Sequence, residues 1–264
     1  MFNPNNPFQF YLSYNGRKLV RYEKDAIAKD GLARMQVRQK LPVTIKSSCS
    51  RIFKNFKPIR KELFINKLTN LRLALESING LVIQSGETFS FWDRVGKPSY
   101  EKGYLPGLVI DHGEPDEAVG GGLGQLANMI HWLALHSDLE IIERHRHKFD
   151  VFPDDNRLIP FATGATIQYN NKDLRVHNPT QQDYQLNFDL SDQELSGSLD
   201  SEKKQTRSFQ IEERDPAFIK TNEDLYRSNY IYQIITDHIT GNREEKLILE
   251  NYCKCNYRLE ELFE

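Results

Sequence analysis

With 264 residues, 39% hydrophobic and 27% charged, the chain carries enough apolar material for one large domain or two small ones with a proper core. No stretch approaches the roughly 18 apolar residues of a membrane span, and the start MFNPNNPFQFYLSYNGRKLVRY lacks the order of a secretion signal, so a cytoplasmic location is expected. The net charge of −2 hides an asymmetry: residues 1–80 hold 16 Lys and Arg against 5 Asp and Glu, the remainder 19 against 32. Because the basic residues are interspersed with apolar ones, the expected reading is a basic segment docked on the acidic body, and nucleic acid is not an expected partner.

In chain order, Leu19, Ile27, Leu32 and Met35 recur loosely enough for helices interrupted at Gly31 and stopped by Pro42. Phe64, Leu68, Leu71, Leu75 and Ile78 follow spacings of four and three, which predicts a helix that Asn79-Gly80 ends. LVIQSGETFSFWDRVG reads as two short strands about Ser85-Gly86, and GYLPGLVIDHGEP as another strand. VGGGLGQLANMIHW then places three glycines before a helix with the stripe Leu123, Leu126, Ala127, Ile130, Leu133 and Ala134, leaving Gln125, Asn128 and His131 off its centre. Beyond it, LEIIERHRHKFDVF, GATIQYN, DLRVHN, DYQLNFDL, ELSGSLDS and RSFQIEER alternate between turn residues as antiparallel strands do, and YIYQIITDHIT and EKLILENYCKCNY are strand candidates about a Thr-Gly-Asn-Arg turn. The expected class is therefore α+β: N-terminal helices followed by a central helix packed on a mainly antiparallel sheet. Three segments are expected: a basic, mostly helical 1–60, an α+β domain at 61–190, and a β-rich extension at 191–264.

The glycine turn allows several chemistries. A phosphate-binding P-loop would need Lys and Ser or Thr where Gln125 and Leu126 stand, so that reading fails. Gly122-Leu-Gly124-Gln-Leu-Ala127 satisfies a dinucleotide fingerprint, with Glu143 as a ribose-binding acid, but DHGEPDEA separates the turn from the nearest apolar strand and no second βαβ unit follows. A nucleophile at the helix start would need Cys or Ser, and the turn has neither.

GETFSFWDRVGKPSYEKGYLPG, GGGLGQLANMIHWLALH, ERHRHKFDVFPD, GATIQYN and DLRVHNPT, in that order, resemble the VanW family, named for a gene of glycopeptide-resistance clusters. The similarity runs from about Leu68 to about Leu190. In many such sequences the glycine run continues as Gly-Gly-Gly-x-Cys-Gln, a His-Ser pair follows on a strand, and Asp-Ala-Thr opens the next. Carried onto this chain, the Cys position is Gly124, the Gln is Gln125, the His is His147 followed by Lys148, and the Asp is Gly164. The resemblance thus implies a site from which a thiol and the group orienting its base are both missing, and an accessory role tied to the cell envelope or the glycopeptide-antibiotic response.

On a strand, His145 and His147 share one face, and with amides of the glycine turn they suit a carboxylate or phosphate; the bland account is structural histidines among solvated arginines. His145-x-His147 with Cys253-x-Cys255 lacks the spacing of a zinc knuckle, and the three cysteines, including Cys49, are expected to be reduced. Trp92 and Trp132 read as core or pocket wall, and Asp111-His112 and Asp154-Asp155 as turn formers. The resulting expectation is a binding protein for an unknown small anionic ligand held by Gly120, Gly121, Gly122, Gly124, Gln125, Asn128, His145 and His147. No catalytic residue, metal or cofactor is assigned. The alternative is an enzyme, either a hydrolase using water activated by His147 or a nicotinamide-dependent oxidoreductase working through the Gly122 fingerprint.

Overall fold

The computed structural model describes residues 31–52, 60–111, 114–146, 149–151, 159–222 and 224–257. Strands dominate. One four-stranded sheet is antiparallel, in the order β1 (Val43–Arg51), β10 (Glu194–Ser201), β9 (Tyr184–Leu190), β2 (Leu81–Ile83). A second sheet runs β11 (Arg207–Lys220), β12 (Leu225–Asp237), β13 (Arg243–Cys255), with the short β7 (Phe149–Asp150) added in parallel. A smaller sheet joins β3 (Thr88–Ser90), β8 (Arg175–His177) and β6 (Glu140–Glu143), and β4 (Pro106–Asp111) pairs with β5 (Glu114–Val119) as a hairpin.

Among the described residues there are three α-helices: α1 (Lys61–Ile78), the single-turn α2 (Phe91–Val95) and α3 (Gly124–Ala134). α1 buries Leu68, Leu71, Leu75 and Ile78, the face its spacing predicts, and packs against β9; α3 packs against β10 and β1. Their apolar sides meet Leu81, Ile83, Phe89, Val176, Leu186, Leu195 and Leu199 in one core. α3 is buried nearly all round, so His131 and Trp132, off the predicted stripe, are core residues.

The α+β expectation of N-terminal helices ahead of a central helix on one sheet is overturned: the protein is mostly β, with several sheets. Val43–Arg51, expected to belong to a helical segment, is a strand registered on β10 from Val43↔Ser201 to Arg51↔Glu194. Residues 31–41 form an extended strap, where Leu32 bridges Thr88, Gln36 bridges Leu81, and buried Gln185 donates to the Val37 and Gln39 carbonyls. The physical reason is the same in both places. A polar sequence with weak periodicity took its conformation from ladder groups offered by distant strands, which outweigh local propensity. The earlier part of the expected helical stretch, Arg17 to Asp30, lies outside the described residues.

Candidate functional site

The glycine turn hangs between the β4–β5 hairpin and α3, and α1 fixes it from beneath. Asn70, fully buried on α1, donates through Nδ2 to the carbonyls of Leu105 and Gly121, both at 2.9 Å, and accepts from the Leu105 amide at 2.8 Å. Gly120 and Gly122 take positive φ of 81° and 95°. Gly121 lies against Gly107 so closely that a Cβ on Gly121 would land on the Gly107 carbonyl, and one on Gly122 would strike the stem of Lys67. Close packing therefore accounts for Gly121 and Gly122. Gly124 differs, because a Cβ there would have nothing within 4 Å.

The turn's amides divide along the same line. Gly120 donates to Leu105, Gly121 to Ala118, and Gln125 to Gly122. The amides of Gly122, Leu123 and Gly124 have no acceptor among the described residues, and the helix start has neither a side-chain cap nor an acidic residue in its first turn. Lys67 adds positive charge there: its stem lies over Gly122 and its ammonium donates to the Ile52 carbonyl at 3.1 Å. Gln125 turns to β1, its Nε2 donating to Ser50 Oγ at 2.6 Å and to the carbonyls of Ser50 and Arg51, while its buried Oε1 has no partner.

One turn along α3 from Gly124, Asn128 accepts from the Ala165 amide at 2.6 Å, and its Oδ1 would lie 2.8 Å from a Cβ on Gly164. A second turn on, His131 Nδ1 donates to the Thr163 carbonyl at 2.7 Å, the tautomer being dictated by the acceptor. Arg144 grips the same loop through the Ala162 and Gly164 carbonyls, and the Thr166 amide donates to the His145 carbonyl. These contacts hold Ala162 at a φ of 68°, uncommon for a residue with a side chain. Burial pushes His131 down to about 3, helped by the Arg144 charge, and burial likewise lowers Arg144 to about 10. The His145 ring points to Glu143, with Nε2 to Oε1 at 3.0 Å.

A sequence profile described as VanW like protein matches residues 66–199, which takes in α1, the glycine turn, α3 and the 160–166 loop. Vancomycin B-type resistance protein VanW of Enterococcus faecalis (strain ATCC 700802 / V583) is 32% identical over 197 residues, 74% of this chain and 72% of that protein. The chain belongs to the VanW family. Uncharacterized protein YoaR of Bacillus subtilis (strain 168) is 31% identical over 109 residues, 41% of this chain and 34% of that one. No solved structure matches the chain.

Of the positions the VanW resemblance singles out, Gly124 and Gly164 lie on the same side of α3, connected through Asn128. His147 is outside the described residues. Of the other expected ligand-holding residues, Gly120, Gly121 and Gly122 pack against Pro98, Gly107 and Lys67, Gln125 turns to β1, and Asn128 and His145 meet the 160–166 loop. The dinucleotide fingerprint lacks its setting, since α3 follows an antiparallel hairpin strand and Glu143 is occupied by His145 and the Asp173 amide. Cys253 and Cys255 are buried on β13, whereas exposed Cys49 sits beside Glu194, which raises its thiol pKa. Burial raises the Cys253 thiol as well, so neither Cys49 nor Cys253 is an activated nucleophile.

Lys67 and Arg144 were the residues sequence reasoning assigned least well. Lys67 falls between apolar positions of a core helix, and its approach to Gly122 is a tertiary contact. The one available signal was that Lys67 and Asn70 share a face three residues apart beside the buried stripe.

Proposed function

We propose that this VanW-family protein binds a small anionic ligand at the start of α3 and performs no thiol chemistry there. The observation that carries the reading is Gly124, first residue of an uncapped helix, facing open space where its neighbours face backbone or Lys67. Backbone amides at a helix N-terminus, with a lysine alongside, attract carboxylate or phosphate oxygens. The vancomycin resistance that the name of the Enterococcus faecalis relative carries supports a ligand drawn from the cell envelope or the glycopeptide-antibiotic response. Three free thiols, one of them exposed, suit a cytoplasmic location.

The test is thermal unfolding of the full chain with inorganic phosphate, a nucleotide sugar, or D-alanyl-D-alanine, alongside Gly124→Leu, whose side chain would fill the open space. A ligand held only by the native state stabilises it by about 2.7 kcal/mol at a concentration of about 100 Kd. The expected result is a concentration-dependent rise in Tm for at least one probe, absent in Gly124→Leu. No rise with any probe, or an equal rise in the variant, overturns the reading.

A further inference from the structure

The apolar core built on α1, α3 and the β1–β10–β9–β2 sheet takes in no residue of β11, β12 or β13 among the described residues. The β11–β12–β13 sheet gathers apolar groups of its own, Leu225, Cys255 and Tyr257, beside a buried ion pair in which Asp150 of β7 meets Arg227 at 3.4 Å and accepts from the Tyr257 hydroxyl at 2.6 Å. The VanW profile ends at residue 199, and residues 202–206, polar and mostly exposed, lead from β10 into β11. The two units meet along the inner face of β12. Asn229 Nδ2 donates to the Phe161 carbonyl at 3.2 Å, Gln233 Nε2 donates to the Leu135 carbonyl at the end of α3 at 2.8 Å, and fully buried Ile231 stands between them. Arg207 pairs with Asp138 just beyond α3, and the Arg227 guanidinium lies 4.2 Å from the centre of the Phe161 ring. One group in this seam is left over. Asn229 Nδ2 also donates to Glu213, which fixes how the amide is turned, and its buried Oδ1 has no partner. A buried acceptor without a donor costs stability while the seam is closed, and water supplies the donor when it opens.

We propose that the β11–β12–β13 sheet, carrying β7 with it, is a second body that lifts off the VanW domain and so uncovers the 160–166 loop and the C-terminal end of α3. Relative motion is the default between bodies joined by a polar interface, and a large apolar one is what suppresses it. Here the crossing contacts are single side chains reaching backbone carbonyls, one ion pair and one guanidinium over a ring, with neither Ile231 nor any neighbour on β12 merged into the main core. Lifting takes Asn229 and Arg227 away from Phe161 and Gln233 away from Leu135. The loop keeps Asn128, His131 and Arg144, which hold it from the domain's own side. The sheet is therefore a cover over a loop whose shape is built without it.

Labelling of buried thiols in the full chain tests this. Ile231→Cys puts a thiol in the seam and Leu186→Cys puts one in the main core, and each variant meets a thiol reagent at urea concentrations below the unfolding transition, the labelled site being read by peptide mass spectrometry. Ile231→Cys is expected to react at least about tenfold faster than Leu186→Cys, at a rate nearly independent of urea, because lifting a folded body exposes far less surface than unfolding the chain. Arg207→Glu, which sets two acids against each other at Asp138, raises the Ile231→Cys rate at least about fivefold and leaves the Leu186→Cys rate unchanged. Should circular dichroism show that Ile231→Cys has lost the fold, buried Cys253, cross-strand from Arg227 on the same inner face, takes its place as the probe. A seam thiol that labels with the rate and the steep urea dependence of the main-core thiol shows that the sheet separates only when the whole chain unfolds, and overturns the inference.

Discussion

Three neighbouring glycines serve different ends, and substitution separates them. Gly121→Ala would press a methyl group into the Gly107 backbone with no flexible side chain to yield, so a loss of at least about 3 kcal/mol is expected in urea unfolding. Gly124→Ala places the same methyl in open space on a helix, where exchanging glycine for alanine stabilises by about 0.5 kcal/mol. A Gly124→Ala protein less stable than the parent would show that the space around Gly124 is closed. Gly122 is unsuited to a clean binding test, because its positive φ and its contact with Lys67 both resist a side chain. The sequence drew attention to the turn, and the VanW resemblance implied a thiol at the position Gly124 holds. It could not show which glycines were required by packing, since Gly107, which decides the case for Gly121, belongs to the opposite strand of the hairpin.

At the scale of elements, the α1 and α3 helices and most strands after Gly80 were legible, whereas the helices expected in the N-terminal segment were not there: its described part is a strap and the strand β1. α1 was readable because its face repeats within one turn, whereas β1 depends on β10, and no local pattern in Val43–Arg51 announces that partner. The 160–166 loop was least legible. Its conformation is set by Asn128, His131 and Arg144, which reach it from α3 and from the segment after β6, and of the three the sequence offers Asn128 as a ligand-binding candidate instead. Its dependence on a neutral imidazole has a pH signature. The unfolded chain protonates His131 near the ordinary value of 6.5, while the folded protein protonates it only near 3, so the unfolded state binds more protons in between. The stabilisation is complete above about pH 6.5 and is lost as pH falls toward the folded value. At pH 5 the loss relative to pH 7 is about 2 kcal/mol from this residue, and His136, lowered to about 4 by burial, acts in the same direction. His131→Asn keeps a donor for Thr163 and removes the titration, so urea unfolding at pH 5 and 7 should show a difference smaller by about 2 kcal/mol. An unchanged difference would mean that His131 is protonated in the native state.

For the whole molecule, the charge asymmetry was visible in composition while the contacts that answer it were not. Arg34 pairs with Asp93, Lys40 with Asp200, Arg60 with Glu117 and Arg72 with Asp192, so described members of the basic segment meet acids of the body. These partly exposed pairs contribute little each. The larger contribution of the segment is β1 and fully buried Ile52. A chain starting at Lys61 is therefore expected to lose cooperative thermal unfolding, and a sharp transition retained in that truncation would show β1 to be dispensable. The same pairing has a temporal side. Thr44 and Asp200 touch across 156 residues of sequence, so a ribosome adding about 5–20 residues per second releases the first strand on the order of ten seconds before its neighbour exists. During that interval β1 has no β10 to pair with. Its stretch Lys46-Ser47-Ser48-Cys49-Ser50 is suited to the wait, since a charged, serine-rich segment has little tendency to seize the wrong edge or to nucleate aggregation.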